Sequence, residues 1–183
     1  YLWQFGKSGA LYAAGEPWNR LTQVYELAIS PDGRWLAQCD GAAVDRGFRL
    51  FDLSKGEGAT QELTEWFPAR CAFSPTKPLV ALAGQDTNQV NSLRFWELST
   101  RSTIHSERLS GPCLGLAFTQ DGKRLFSFSL TNGMDEEITM WDAIGGRKLA
   151  SWPVPQPGVG FINIVRVFAV SGDGRFVVHR SGP

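Results

Sequence analysis

The chain has 183 residues, 43% of them apolar, 20% charged and 12% aromatic, a composition that can bury a sizeable core and excludes a disordered segment. Its 18 Lys and Arg balance 18 Asp and Glu, which leaves no electrostatic case for nucleic acid or an anionic membrane, since both need clustered cations. No apolar run approaches the length that spans a bilayer.

Along the chain, short apolar stretches alternate with turn residues, and one pattern recurs. Ala28-Ile29-Ser30-Pro31-Asp32-Gly33 runs Ala, large apolar residue, hydroxyl residue, turn. Ala72-Phe73-Ser74-Pro75, Ala117-Phe118-Thr119-Gln120-Asp121-Gly122 and Ala169-Val170-Ser171-Gly172-Asp173-Gly174 repeat that order. Seven residues beyond the large apolar position stands another, at Leu36, Val80, Leu125 and Val177. A second series, Trp3-Gln4, Phe51-Asp52, Trp96-Glu97 and Trp141-Asp142, keeps steps of 48, 45 and 45 residues. Two independent series with one period establish an internal repeat.

Each copy predicts strands. Asp-Gly between apolar runs is a strong hairpin signal, because Gly accepts a positive φ without steric penalty; the second copy uses Pro75-Thr76-Lys77-Pro78 instead. The hydroxyl residue before the turn can bond nearby backbone amides and stop the strand. Few stretches carry apolar residues at helical spacing, and Gly and Pro fall at strand-length intervals, so helices are not predicted. Four short strands per repeat of about 45 residues is the arithmetic of a propeller blade.

Catalysis needs a convergent nucleophile, base and stabiliser, or a metal with its ligands. His105 and His179 are the only histidines, and neither has Cys or Asp at ligand spacing. Cys39, Cys71 and Cys113 are odd in number and widely spaced, so the expectation is reduced, packed thiols rather than a disulfide framework or a metal knuckle. No GxSxG elbow, P-loop or GxGxxG occurs. Asp135-Glu136-Glu137 lacks the alternating oxygen ligands of a calcium loop. The expectation is no catalytic residue, no metal and no cofactor, in a cytoplasmic protein.

At Ile29-Ser30-Pro31-Asp32-Gly33-Arg34, Arg94-Phe95-Trp96-Glu97-Leu98 and Ile138-Thr139-Met140-Trp141-Asp142 the chain resembles the SPDG and WD signatures of WD40 repeats. The resemblance covers nearly the whole chain. It departs from the family in lacking the Gly-His dipeptide, whose His bonds a Ser or Thr, an Asp and the Trp indole in many members. Phe51 has no indole N–H, whereas Trp96 and Trp141 can keep part of that network. The resemblance implies an all-β fold, a WD40-type β-propeller segment in one region over residues 1–183. Three full four-stranded antiparallel blades are expected at about 24–65, 69–109 and 112–152, with partial blades at 1–14 and 164–180. Two readings of the ends stay open: a fragment of a larger propeller, or terminal halves that pair and close a four-bladed ring.

By the same resemblance, the loops joining second to third strands share one rim with the connections between blades. Residues 39–47, 83–92 and 129–137 look like extended loops on that rim. They carry Asp40, Asp45, Asp86, Asp135, Glu136 and Glu137 against a single Arg46, with amides at Gln85, Asn88, Gln89, Asn91 and Asn132. Such loops on a rigid frame suit recognition, and the expectation is a basic peptide or protein loop as partner; the bland reading is that they are simply solvated. The last repeat is longer, since Val170 lies 52 residues after Phe118 against earlier steps of 44 and 45. Trp152 and Phe161 flank its Pro-rich stretch as candidate anchors, unless Trp152 merely ends an outer strand.

The function expected is a non-catalytic protein–protein interaction scaffold within a larger multidomain regulatory protein of the signalling kind. The alternative is a propeller enzyme or small-molecule binder whose central-channel site is completed by further blades. Ionisable residues at the inner ends of the first strands would favour it, and those strands look mostly apolar.

Overall fold

The computed structural model describes residues 3–5, 11–13, 24–40, 47–55, 63, 66–131, 135–154 and 167–180. These form consecutive antiparallel sheets. β1 (Trp3–Phe5) and β2 (Leu11–Ala13) make a ribbon. β3 (Val24–Ile29), β4 (Trp35–Asp40) and β5 (Gly47–Asp52) make a three-stranded meander. Four-stranded meanders follow: β6 (Trp66–Phe73), β7 (Leu79–Asp86), β8 (Asn91–Glu97) and β9 (Ser102–Arg108), then β10 (Cys113–Phe118), β11 (Arg124–Thr131), β12 (Asp135–Asp142) and β13 (Lys148–Val154). β14 (Val167–Val170) and β15 (Val177–Arg180) pair as a hairpin. A fourth strand beside β5 would fall within 56–65, of which only Leu63 is described.

The repeated turn has one chemistry. Gly33, Gly122 and Gly174 hold φ of 70°, 66° and 71°, a region closed to most side chains. Ahead of each, the hydroxyl donates to the turn carboxylate, from Ser30 to Asp32, Thr119 to Asp121 and Ser171 to Asp173. The same oxygen accepts the amide five residues on, at or just before the start of the next strand, from Trp35 at 2.8 Å, Arg124 at 3.2 Å and Phe176 at 2.9 Å. Strand ends are therefore fixed locally, copy by copy.

Sheets then stack face to face. The first strand of each touches the first strand of the next, β3 on β6, β6 on β10 and β10 on β14. Ala37, Cys39, Phe48 and Leu50 meet Cys71, Val80, Leu82 and Trp96 in one apolar layer. Leu79, Ala81, Ala83 and Phe95 meet Cys113, Leu116, Leu125 and Trp141 in the next. On β7, alternate residues serve opposite layers, the period-2 geometry of a strand buried on both faces. Fully burying such a side chain contributes roughly 1.5–3 kcal/mol. Among the described residues, nothing covers one face of β3 or of the β14–β15 hairpin in this way. Leu27 is 53% exposed where its repeat counterparts Cys71 and Leu116 are 3% and 8% exposed, and Phe176 and Val178 are 65% and 62% exposed.

The aromatic markers share a place but not a bond. Trp141 donates its indole N–H to Ser127 Oγ at 2.9 Å. Among the described residues the buried Trp96 indole nitrogen has no partner, because Leu82 occupies the position corresponding to Ser127 and offers no acceptor. Phe51 is buried in the third such place. Ser127→Ala should therefore cost about 1–3 kcal/mol, the penalty of orphaning a buried donor. Denaturant unfolding measures it, and Leu82→Ala gives the contrasting case of a cavity with no bond lost.

Arg34 Nη2 lies 3.1 Å from Asp52 Oδ2, tying the first turn to the end of β5. The Arg34 guanidinium, with Ser54, holds the Asp52 carboxyl down at about 2. A depressed carboxylate stabilises the fold fully above its unfolded value of about 4 and loses that contribution as pH falls through the folded value. Wild type and Asp52→Asn should accordingly differ most in unfolding midpoint above pH 5 and converge toward pH 2.

Candidate functional site

The structure puts most of the expected rim residues into strands rather than loops. β7 runs on to Asp86 and β8 begins at Asn91, and β11 and β12 extend to Thr131 and from Asp135. The expected loop at 83–92 thus shrinks to the turn at 87–90, and pairing reaches Thr131 and resumes at Asp135 within 129–137, where 132–134 lie outside the described residues, because backbone pairing continues through polar residues. Asp40 ends β4, where its carboxylate is 5% exposed and held by Arg49 Nη1 at 2.8 Å and Gln38 Nε2 at 2.7 Å. Asp86 organises its own turn, accepting the amides of Asn88 and Val90 at 2.9 Å each. Asp135 is exposed, Glu136 is buried, and Glu137 accepts the Thr139 hydroxyl at 2.9 Å with Lys148 Nζ 3.5 Å away. Trp152 pairs with Ile138 inside the outermost strand, exposed. Asp45 and Phe161 lie outside the described residues. These groups sit on separate sheets and form no single acidic cluster.

What the structure brings together lies closer to the centre. The first strands of three sheets each carry a register shift at one repeat position: between Val24 and Glu26, Pro68 and Arg70, and Cys113 and Gly115. A bulge adds one residue, bends its strand and re-aims side chains. The residues after the bulges are Glu26, Arg70 and Gly115, and each meets the following sheet. Glu26 Oε2 accepts the Cys71 amide at 2.8 Å. Arg70 donates from Nε to Leu114 O and from Nη1 to Ala69 O, both at 2.7 Å. A side chain at Gly115 would lie 2.6 Å from Phe168 Cβ, so there the neighbour fills the space itself.

Around these bulges opens a cleft of about 280 Å³. Tyr25 of β3, Phe67 and Arg70 of β6, Gln85 and Asn91 of β7 and β8, and Asp40 line it. Gly84 permits its floor, since a Cβ there would lie 2.1 Å from Phe67 O. Gln85 and Asn91 are register partners, and among the described residues nothing bonds either side-chain amide. A second cleft of about 300 Å³ lies among the hairpin turns, between Pro31, Pro75 and Pro78. Its Ser30 and Asp32 are already spent on the turn.

The titratable groups are set for packing. Burial pushes the Cys39 thiol well up and the Cys113 thiol up to about 11, leaving both protonated and poorly nucleophilic at neutral pH. Burial also raises the Glu26 carboxyl, against the Cys71 amide and the Arg70 charge. His105 sits edge-on to Phe95 and His179 against Phe128. Among the described residues no group of His, Cys, Asp and Glu could hold a metal ion, and no described helix is long and apolar enough to cross a membrane.

No protein-family model matches the sequence, nor does any curated protein. Solved structures do match. A chain titled as the mitotic checkpoint complex is similar over 86% of this chain, with a TM-score of 0.66 at 20% identity. Chaetomium thermophilum Sqt1, bound to the N-terminus of a ribosomal protein, matches over 85% with 0.63 at 19%. Hydrazine synthase of Kuenenia stuttgartiensis matches over 84% with 0.65 at 19%. A chain titled as RRP9 WD40 repeats matches over 74% with 0.59 at 14%. The fold is that of a WD40-type β-propeller. The chain spans between 39% and 47% of the length of these four chains, so it corresponds to less than half of each.

Within the propeller, sequence reasoning missed Glu26 and Arg70. Their first strands are otherwise apolar, but the two charges occupy equivalent repeat positions 44 residues apart. Aligning the copies through that column, rather than through the Ala-apolar-hydroxyl motif alone, would have singled them out.

Proposed function

We propose that the chain is a non-catalytic protein-interaction scaffold, a section of a larger propeller that holds a partner segment in the cleft at its inner rim. The cleft carries this reading. It combines exposed and half-buried aromatics, two unbonded primary amides and a tethered guanidinium on a frame fixed by double-sided packing. A primary amide offers both donor and acceptor, the complement of an extended peptide backbone, and aromatic and Arg groups dominate interface energetics. Two of the similar chains come from protein assemblies, by their titles. A basic partner would draw on Asp135 and Glu137, which lie outside the cleft. Three free, buried cysteines support a cytoplasmic setting.

The alternative, a propeller enzyme or small-molecule binder completed by further blades, has in its favour the likeness to hydrazine synthase and the charges of Glu26 and Arg70 on contacting first strands. Against it, Glu26 is committed to the Cys71 amide, and the described residues gather no group that could hold a metal ion.

A photo-crosslinker at Asn91 should capture a protein partner that the same group at Lys77, on the turn side, does not. Equal capture at both positions, or none, removes the rim reading. For the larger ring, Leu27→Asp should be nearly silent in the 183-residue chain. In the full natural polypeptide it should destabilise by about 2–4 kcal/mol, because a further blade would bury that face. Silence in both ends the larger-ring reading.

A further inference from the structure

This inference rests on the cleft being a recognition site and names the chemistry of what enters it. We infer that the cleft takes a carboxylate borne by a peptide segment, seated against Arg70, with the adjoining peptide group against Gln85 and Asn91.

Charge balance within the lining comes first. Among the described residues of the lining Asp40 is the only carboxylate, and it is already paired with Arg49 at 2.8 Å and bonded by Gln38. Arg70 has no ion pair among the described residues; its partners are two neutral carbonyls, at Ala69 and Leu114. The carboxylate that feels its charge, Glu26, is outside the lining and committed to the Cys71 amide. Among the described residues no carboxylate is in salt-bridge contact with this guanidinium, and Glu26 acts on it only across space. Two carbonyl bonds also fix the guanidinium in place, so little side-chain freedom remains to be lost when an anion arrives.

Geometry narrows the anion. A single guanidinium matches a monoanionic carboxylate through charge-assisted hydrogen bonds, whereas a phosphate group carries more charge than one Arg balances. The volume of about 280 Å³ lies at the small end of the range for ligand pockets, suited to one side chain or chain end rather than a nucleotide-sized cofactor. Gln85 and Asn91 stand opposite each other on paired strands with both amides unused, and a peptide group can satisfy both. Tyr25 and Phe67 add apolar wall for the intervening methylenes.

Four pools of short, N-acetylated, fluorescein-labelled random peptides test this by fluorescence anisotropy. Three have amidated ends and a fixed central Glu, Gln or Lys; the fourth has a central Gly and a free terminal carboxylate. The Glu pool or the free-carboxylate pool should bind about tenfold to a hundredfold more tightly than the Gln pool, the worth of a hydrogen bond to a charged group. Which of the two does so tells side chain from chain end. Arg70→Met should abolish the preference. Asn91→Ala, which breaks no side-chain bond of the free protein, should weaken the favoured pool while keeping the preference. Should Arg70→Met fail to fold by near-ultraviolet circular dichroism, the Arg70 Nε–H resonance of the wild type decides: it should shift with the favoured pool and not with the Gln pool. Equal binding of the Glu, free-carboxylate and Gln pools, or preference for the Lys pool, overturns the inference and leaves the scaffold reading standing. Absence of binding by every pool sinks both.

Discussion

The whole arrangement depends on strands that are apolar on both faces, so that every sheet is simultaneously a core for its two neighbours. β7 is the clearest case, with Val80 and Leu82 serving one layer and Leu79, Ala81 and Ala83 the other. A strand like this cannot exist alone, since either face left open returns its apolar area to water. Small residues at Ala81 and Ala83 let adjacent sheets approach while Phe95 and Trp141 fill the wider space beyond them. The same constraint explains the exposed Leu27 and Val178, each of which occupies a packing position that no described residue covers.

Double-sided packing also explains why the polar network of the blades could erode. Trp141 keeps its bond to Ser127, Trp96 has none and Phe51 cannot make one. All three rings remain buried in corresponding places. Burial of a large ring stabilises by more than one net hydrogen bond, so the copies differ at the acceptor position while all three hold an aromatic ring at the buried position. Turn chemistry eroded less. Three copies keep the hydroxyl, the carboxylate and the glycine together, because each depends on the other two within a few residues.

That difference in range separates what the sequence made legible from what it hid. The Asp-Gly turns, the strand-ending hydroxyls and the 45-residue step of the aromatics are local or periodic, and they suffice to specify the propeller fold. The extended acidic loops were misjudged for a related reason: polarity at Gln85, Asp86, Asp135 and Glu137 suggested loops, yet strand pairing needs only backbone groups and continues beneath polar side chains. Asp40 looked like an accessible rim charge because Arg49 and Gln38, which neutralise it, become its neighbours only after β4 and β5 pair. Glu26 and Arg70 were obscured differently. Their partners lie on the next sheet, 45 and 44 residues away in the chain, and no local pattern announces a contact at that distance.

Glu26, Arg70 and Gly115 finally locate where individuality resides in a repeat protein. Each follows the bulge of its first strand, and each meets the sheet that comes after, at backbone groups for Glu26 and Arg70 and at the Phe168 side chain for Gly115. Glu26 answers with an acceptor for an amide, Arg70 with donors for carbonyls, and Gly115 by yielding its volume to Phe168. Three chemically opposite residues therefore satisfy one geometric demand, which means that the scaffold does not dictate the residue type there. A column that the fold leaves unconstrained, at a bulged rim beside a cleft, is free to be shaped by whatever the protein meets. The positions dictated by packing hold the frame, and the ones that packing leaves open can set its specificity.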